Sequence, residues 1–262
     1  MVIRRIREHV AAHDWFAVAV DVGIVVLGVF IGTQVSNWNA ERIERDRAAQ
    51  YRDRLIGELD FNARQYALQA AYYRQTRAYG LDALAAIEGG KVLPDRDFVI
   101  AAYQLTQTDA TKAKTGVYGE MIASGLGSRL GDDETQQIAS DFYLTADVVQ
   151  RLLETAFPYR TQLREVMPYE VQVKVRTACG DRTVHYAGRV VGIRLVVPCP
   201  VILGSKEAAN AARIVRETPE IRRQMTRYIA SLDEKLDNLE LAHDQAAAFR
   251  RRLVGASKGG AT

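Results

Sequence analysis

The sequence predicts a mainly α-helical protein: an N-terminal transmembrane helix followed by a long-helix bundle that carries a small antiparallel β-hairpin or sheet insert. Three observations lead there. Phe16 to Val35 reads FAVAVDVGIVVLGVFIGTQV, with Asp21 as its single charge. Two long segments, one after Ala40 and one after Thr218, repeat apolar residues at three- and four-residue steps. Between them, around residues 170–197, the pattern turns to alternation and β-branched runs.

A helix rises about 1.5 Å per residue, so the apolar run covers roughly the 30 Å of a hydrocarbon core. Trp15 and Trp38, the only tryptophans, bracket it as interfacial anchors, since an indole satisfies both its apolar face and its N–H at headgroup level. The span is therefore placed at 15–38, after a short basic tail at 1–14. Arg4, Arg5 and Arg7 before an apolar run also suit a cleaved signal peptide. Against cleavage, the run is long for such a segment, Asp21 lies inside it, and Trp38 stands where a small residue is needed. A single-pass signal anchor is expected. Arginines do not orient it: the three before the span are matched by Arg42, Arg45 and Arg47 after it. Cys179 and Cys199 flank a strand-like segment and suit a disulfide in an oxidising compartment, with two free buried thiols as the alternative. The disulfide reading puts the tail in the cytoplasm and the C-terminal bulk outside.

Residues 39–167 read as a helical stalk and bundle. Ala48, Tyr51, Leu55, Leu59, Tyr66, Ala70 and Tyr73 share one helical face up to the Gly89-Gly90 stop. Such a helix could reach roughly 70 Å from the membrane. Tyr66, Tyr72, Tyr73 and Tyr79 read as core and boundary residues rather than a ligand cleft. A short helix is expected over Asp95 to Thr106, and another before the glycine-punctuated turn Gly125 to Gly131. Asp132, Asp133 and Glu134 then open a helix running to about Pro158 or on to Met167, as acids that cap free N–H groups.

Residues 168–203 form the expected β insert with its Cys pair. Val171, Val173 and Val175 alternate with polar neighbours and predict a strand, followed by a Gly180-Asp181 turn and strands at Thr183 to Tyr186 and Arg189 to Val197. Residues 204–254 complete the bundle. One helix starts at Ser205, and Thr218-Pro219-Glu220 reads as the start of the last. Ile221, Met225, Tyr228, Leu232, Leu236, Leu239, Ala246, Phe249 and Leu253 make a stripe suited to core or coiled-coil packing against the post-membrane helix, the last helix returning toward the membrane if the pair is antiparallel. Residues 255–262 read as a disordered tail.

Functional signals are sparse. The 35 Lys and Arg nearly balance the 32 Asp and Glu, and interleaved signs argue against a nucleic-acid partner. In the span, Gly28 and Gly32 form a GxxxG pair, and Asp21, seven residues earlier, shares their face. That face is a candidate packing surface for a second copy or a partner span. His9, His13, His185 and His243 show no metal-ligand spacing, the glycine-rich turn lacks GK[ST], and no GxSxG occurs. No catalytic residue, cofactor or metal ligand is assigned.

Two stretches carry a resemblance. Gly28-x-Phe30-Ile31-Gly32-x-Gln34-Val35-x-Asn37-Trp38-Asn39, with Arg42, resembles the opening of the domain-of-unknown-function family 6090 of bacterial membrane proteins, although Ser36 and Ala40 stand where Asn and Glu are usual there. Val117-Tyr118-x-Glu120-Met121-Ile122-x-Ser124-Gly125, followed by Leu130, Asp132 to Glu134 and the helix Ile138 to Tyr143, is similar to a second region of that family. Together they cover about a quarter of the chain, and the Cys-bearing insert matches nothing in the family. The resemblance implies a single-pass bacterial membrane protein with a mainly helical domain and no catalytic residues; the cysteine pair adds the expectation of the bacterial inner membrane with the C-terminal domain periplasmic. The expected role is interaction or self-assembly in the envelope with the lipid bilayer and an unidentified envelope protein as partners. A sensory or ligand-binding helical module is the alternative, and an envelope enzyme the third.

Overall fold

The computed structural model describes residues 15–259; the basic tail expected at 1–14 and the last three residues of the chain lie outside them. Within that range the protein is mainly helical with one two-stranded antiparallel sheet, as the patterning predicts. The chain divides into two units, Met1–Tyr51 and Arg52–Thr262, each described by itself. Helix α1 (Trp15–Ile87) contributes residues to both.

In the first unit, the window beginning at Val18 has a mean hydropathy of 2.1 and none of it is buried, so it is one helix apolar and long enough to cross a membrane. In the second unit, α1 runs antiparallel to α8 (Ile221–Gly259), which is the expected pairing. The register is marked by His243 Nδ1 to the Ala63 carbonyl at 2.9 Å, Arg74 to Glu240 at 2.5 Å, Arg77 to Asp233, and Arg222 to Glu88 at 2.9 Å. These ion pairs are exposed and add little stability; burial does the work. Every residue of the predicted α8 stripe is buried. Gly80 leaves room for side chains from two neighbours: a Cβ there would lie 2.6 Å from Leu105 Cδ1, just after the Asp95–Gln104 helix, and 3.0 Å from Ile229 Cγ1 of α8.

Helix α4 (Asp133–Glu154) packs along α8, with Phe142 and Phe249 in ring contact, and α5 (Pro158–Val166) packs on α8 as well. The acidic opening of α4 is a cap. Asp132 accepts from the Thr135 N–H at 3.0 Å and the Thr135 hydroxyl at 2.6 Å, and those bonds hold its carboxyl below the usual range. The helix stops at Glu154 because Thr155 is extended, and Pro158 opens α5 with its missing N–H where none is needed. Helices α2 (Asp95–Gln104) and α7 (Ser205–Glu217) pack together, and α3 (Gly116–Ala123) stands before the turn at Gly127–Arg129.

Three expectations are corrected. The segment with Val171, Val173 and Val175 is not a strand but helix α6 (Tyr169–Cys179). Valines two apart also place Val171 and Val175 four apart, in line with Cys179. Those three are buried, whereas Val173 is only half so. Packing against α2 and α7 overrides the β-propensity of valine. The sheet is therefore a single hairpin, β1 (Arg182–Tyr186) and β2 (Arg189–Arg194), ending before Val197. Its turn places Ala187 and Gly188 at φ 49° and 73°, as a two-residue hairpin turn demands. Next, Thr218 closes α7 rather than opening α8: its hydroxyl bonds the Ile214 carbonyl, and α8 begins at Ile221. Finally, α8 continues through Gly255 to Gly259, so the tail expected to be disordered from 255 is helical over that range.

Candidate functional site

The span residues singled out by sequence lie on one uninterrupted helix. Asp21, Gly28 and Gly32 are exposed, and nothing lies within 4 Å of a Cβ built on either glycine. Trp15 and Trp38 are 71% and 60% exposed, the latter with the Arg42 guanidinium 5.8 Å from its ring. No other described part of the chain covers this face.

The second unit holds a feature that the apolar stripe obscures. Glu58, Asn62, Gln65, Gln69 and Tyr73 recur at four, three, four and four residues along α1, and all are buried. They bind the backbone that runs from the end of α2 into the first turn of α3. Asn62 donates to the Lys114 carbonyl at 2.7 Å and accepts its N–H at 2.8 Å. Gln65 and Gln69 both donate to the Thr111 carbonyl, and the Tyr73 hydroxyl donates to the Asp109 carbonyl and accepts its N–H. Glu58 accepts the Val117 N–H and the Tyr143 hydroxyl, both at 2.8 Å. Buried polar groups persist only when paired, and here a loop without secondary structure is paired by side chains instead. Tyr143 in turn stacks on Tyr118 at 4.0 Å, and burial and the Glu58 charge raise its phenol well above the ordinary range.

The hairpin lies along the same helix. Tyr72 donates to Asp181 at its base, Gly192 passes close to Leu68, and Tyr186 near the tip donates to Asp60 at 3.1 Å while Arg64 stacks on its ring at 4.0 Å. The Cys179–Cys199 disulfide closes the base, with Cα atoms 5.1 Å apart. Gln104 donates to the Cys179 carbonyl and Arg96 to that of Cys199, tying both ends to α2. The cysteines thus fasten the ends of a segment that contains the hairpin, as expected, although Cys179 ends a helix rather than a strand.

Loop, hairpin tip and helix meet at a cavity of about 580 Å³ lined by Arg54, Glu58, Phe61, Lys114, Tyr186 and Arg189, among others. Sequence reading missed this site because its residues come from three distant segments. It also missed Lys235, which is 3% exposed. The Lys235 ammonium has no hydrogen-bond partner and lies 5.2 to 5.9 Å from the ring centroids of Phe157, Tyr73 and Tyr228. Burial lowers it to about 8, the Glu234 charge opposing.

Among the described residues, no group of three or more His, Cys, Asp or Glu is placed to hold a metal ion. No family model, curated protein or solved structure matches the chain.

Proposed function

We propose that this chain is a single-pass protein of the bacterial inner membrane, its N-terminus cytoplasmic and its helical domain periplasmic, that works by assembly rather than by catalysis. The observation that carries the reading is the opening of α1, where an eighteen-residue, predominantly apolar window has no buried residue. Such a surface is stable only against lipid or another apolar helix. The disulfide supports the orientation, since such bonds persist in oxidising compartments. The Asp21, Gly28 and Gly32 face is the surface for a second copy, because glycines four apart let two backbones approach. The resemblance of the span and of the Tyr118 region to family 6090 points the same way.

Two measurements test this. Lys206 is exposed on α7, so a Lys206→Cys thiol should react with a membrane-impermeant maleimide on intact spheroplasts; protection until lysis overturns the orientation. Gly28→Leu and Gly32→Leu should each lower the yield of span-crosslinked dimer, with association weakened about tenfold. Unchanged crosslinking overturns the self-association.

A further inference from the structure

The cavity between α1, the loop before α3 and the hairpin tip is unusual in its charge. Arg54, Lys114 and Arg189 line it, with Phe61, Val117 and Tyr186 as apolar and aromatic wall. Glu58 is the lining carboxylate, and it is buried and already bonded to the Val117 N–H and the Tyr143 hydroxyl. Arg54 is paired with Glu120 at 2.7 Å. Lys114 and Arg189, among the described residues, form no ion pair. The Lys114 ammonium instead sits 3.4 Å from the centroid of the Phe61 ring. Partial burial and then the charge of Arg189 both lower its affinity for the proton, with Glu58 opposing.

Two cations facing one cavity repel each other, and an anion between them relieves that repulsion. The fold spends structure on keeping them there. Lys114 is held by both of its backbone groups on Asn62, and Arg189 follows the docked Tyr186 across a two-residue turn. A disulfide fixes the base of that hairpin. Placement by a rigid frame is what a binding site needs and a solvated surface charge does not.

We infer that this cavity is a binding site for a small organic anion, a carboxylate or phosphate monoester, whose charge lies between Lys114 and Arg189 and whose apolar group lies on Phe61 and Val117. Its volume falls in the range of small-molecule pockets, roughly 300 to 1,000 Å³. This goes beyond the assembly reading, and it stands or falls without the span.

The test uses the full chain in neutral detergent at low salt, titrated by calorimetry with phenyl phosphate, benzoate and inorganic phosphate. Saturable binding of phenyl phosphate or benzoate is expected, with inorganic phosphate weaker for lack of an apolar group. Lys114→Gln and Arg189→Gln should each weaken binding about tenfold, the value of one charged hydrogen bond, while Lys114→Arg retains most of it. A remote change, Arg74→Gln, should leave it untouched. Phosphatidylcholine nanodiscs with and without phosphatidic acid, whose headgroup is a phosphate monoester, then separate two sources of the same chemistry. Loss of phenyl phosphate binding in the anionic discs identifies a lipid headgroup, and unchanged binding a soluble anion. No saturable binding by any of the three probes, or equal affinity in the wild type and both Gln variants, overturns the inference. Neither result bears on Gly28→Leu crosslinking.

Discussion

Residues 18–35 and 52–83 belong to the same helix, and they treat hydropathy in opposite ways. In the first stretch Ile24, Val25, Leu27, Phe30 and Ile31 are all close to 60% exposed. In the second, Asn62, Gln65, Gln69 and Thr76 are fully buried. Burial therefore does not follow side-chain polarity along α1. What it follows is the available partner. An apolar helix with no protein partner is compatible with a hydrocarbon surrounding, whereas an amide row is compatible with burial only where a backbone supplies donors and acceptors. The segment from Asp109 to Lys114 supplies them, because with no helix or strand of its own its peptide groups need partners.

The largest effect is expected from reversing the first half. Val25→Arg combined with Val29→Arg places two guanidinium groups mid-span, each costing about 3 kcal/mol at that depth. The doubly substituted chain should leave the membrane fraction on carbonate extraction. Retention there would mean that residues 18–35 are not the anchor, and the contrast between the halves would lose its lipid explanation.

Reversing the second half is the subtler experiment, because there a more apolar residue should do harm. Asn62→Leu adds apolar volume to a buried position yet strands the Lys114 N–H and carbonyl together. Each stranded group costs about 1 to 3 kcal/mol, so a loss of roughly 4 kcal/mol is expected in chemical denaturation. A neutral or stabilising Leu would show that water satisfies Lys114 instead and that the amide row is dispensable.

How far the sequence reveals these features depends on whether the relevant partners are near in the chain. The α8 stripe is legible because its period reports one continuous apolar surface, and the cysteine pair because no other cysteine competes. Val171, Val173 and Val175 mislead because their spacing satisfies both a strand and a helix, and only the neighbouring α2 and α7 decide. The amide row carries a signal of its own: between Glu58 and Thr76, uncharged Asn and Gln occupy heptad-spaced positions on a helix otherwise rich in Arg. The anion cavity carries none, since Arg54, Lys114 and Arg189 converge only through the docking of a loop and a hairpin.

Lys235 extends the comparison to α8 with a smaller expected effect. The buried row Met225, Tyr228, Leu232, Lys235, Leu239, Ala242, Ala246, Phe249 and Leu253 alternates strictly between three and four residues, so a lysine occupies a seam position. Unlike the amides of α1, its ammonium finds no acceptor, only aromatic faces. The lowering from 10.5 to about 8 corresponds to about 3 kcal/mol against the charged form, of which the rings return about 1 that a methionine would forgo. Lys235→Met should therefore stabilise the protein by about 2 kcal/mol at pH 7. The sign with pH follows from proton counting. Below pH 8 both folded and unfolded chains hold the proton, and the lysine's burden is constant. Between about 8 and 10.5 only the unfolded chain holds it, so wild-type stability from this group rises with pH. The advantage of Met should shrink across that window and vanish above it, measured as the difference between paired denaturation curves from pH 7 to 10.5. A pH-independent difference would mean that folded and unfolded chains hold the Lys235 proton equally across that window, so that burial does not weaken its hold on the proton. A destabilised Met variant would mean that the three rings hold the cation more strongly than burial opposes it, and the polar group in the α8 seam would then be compensated by aromatic faces alone.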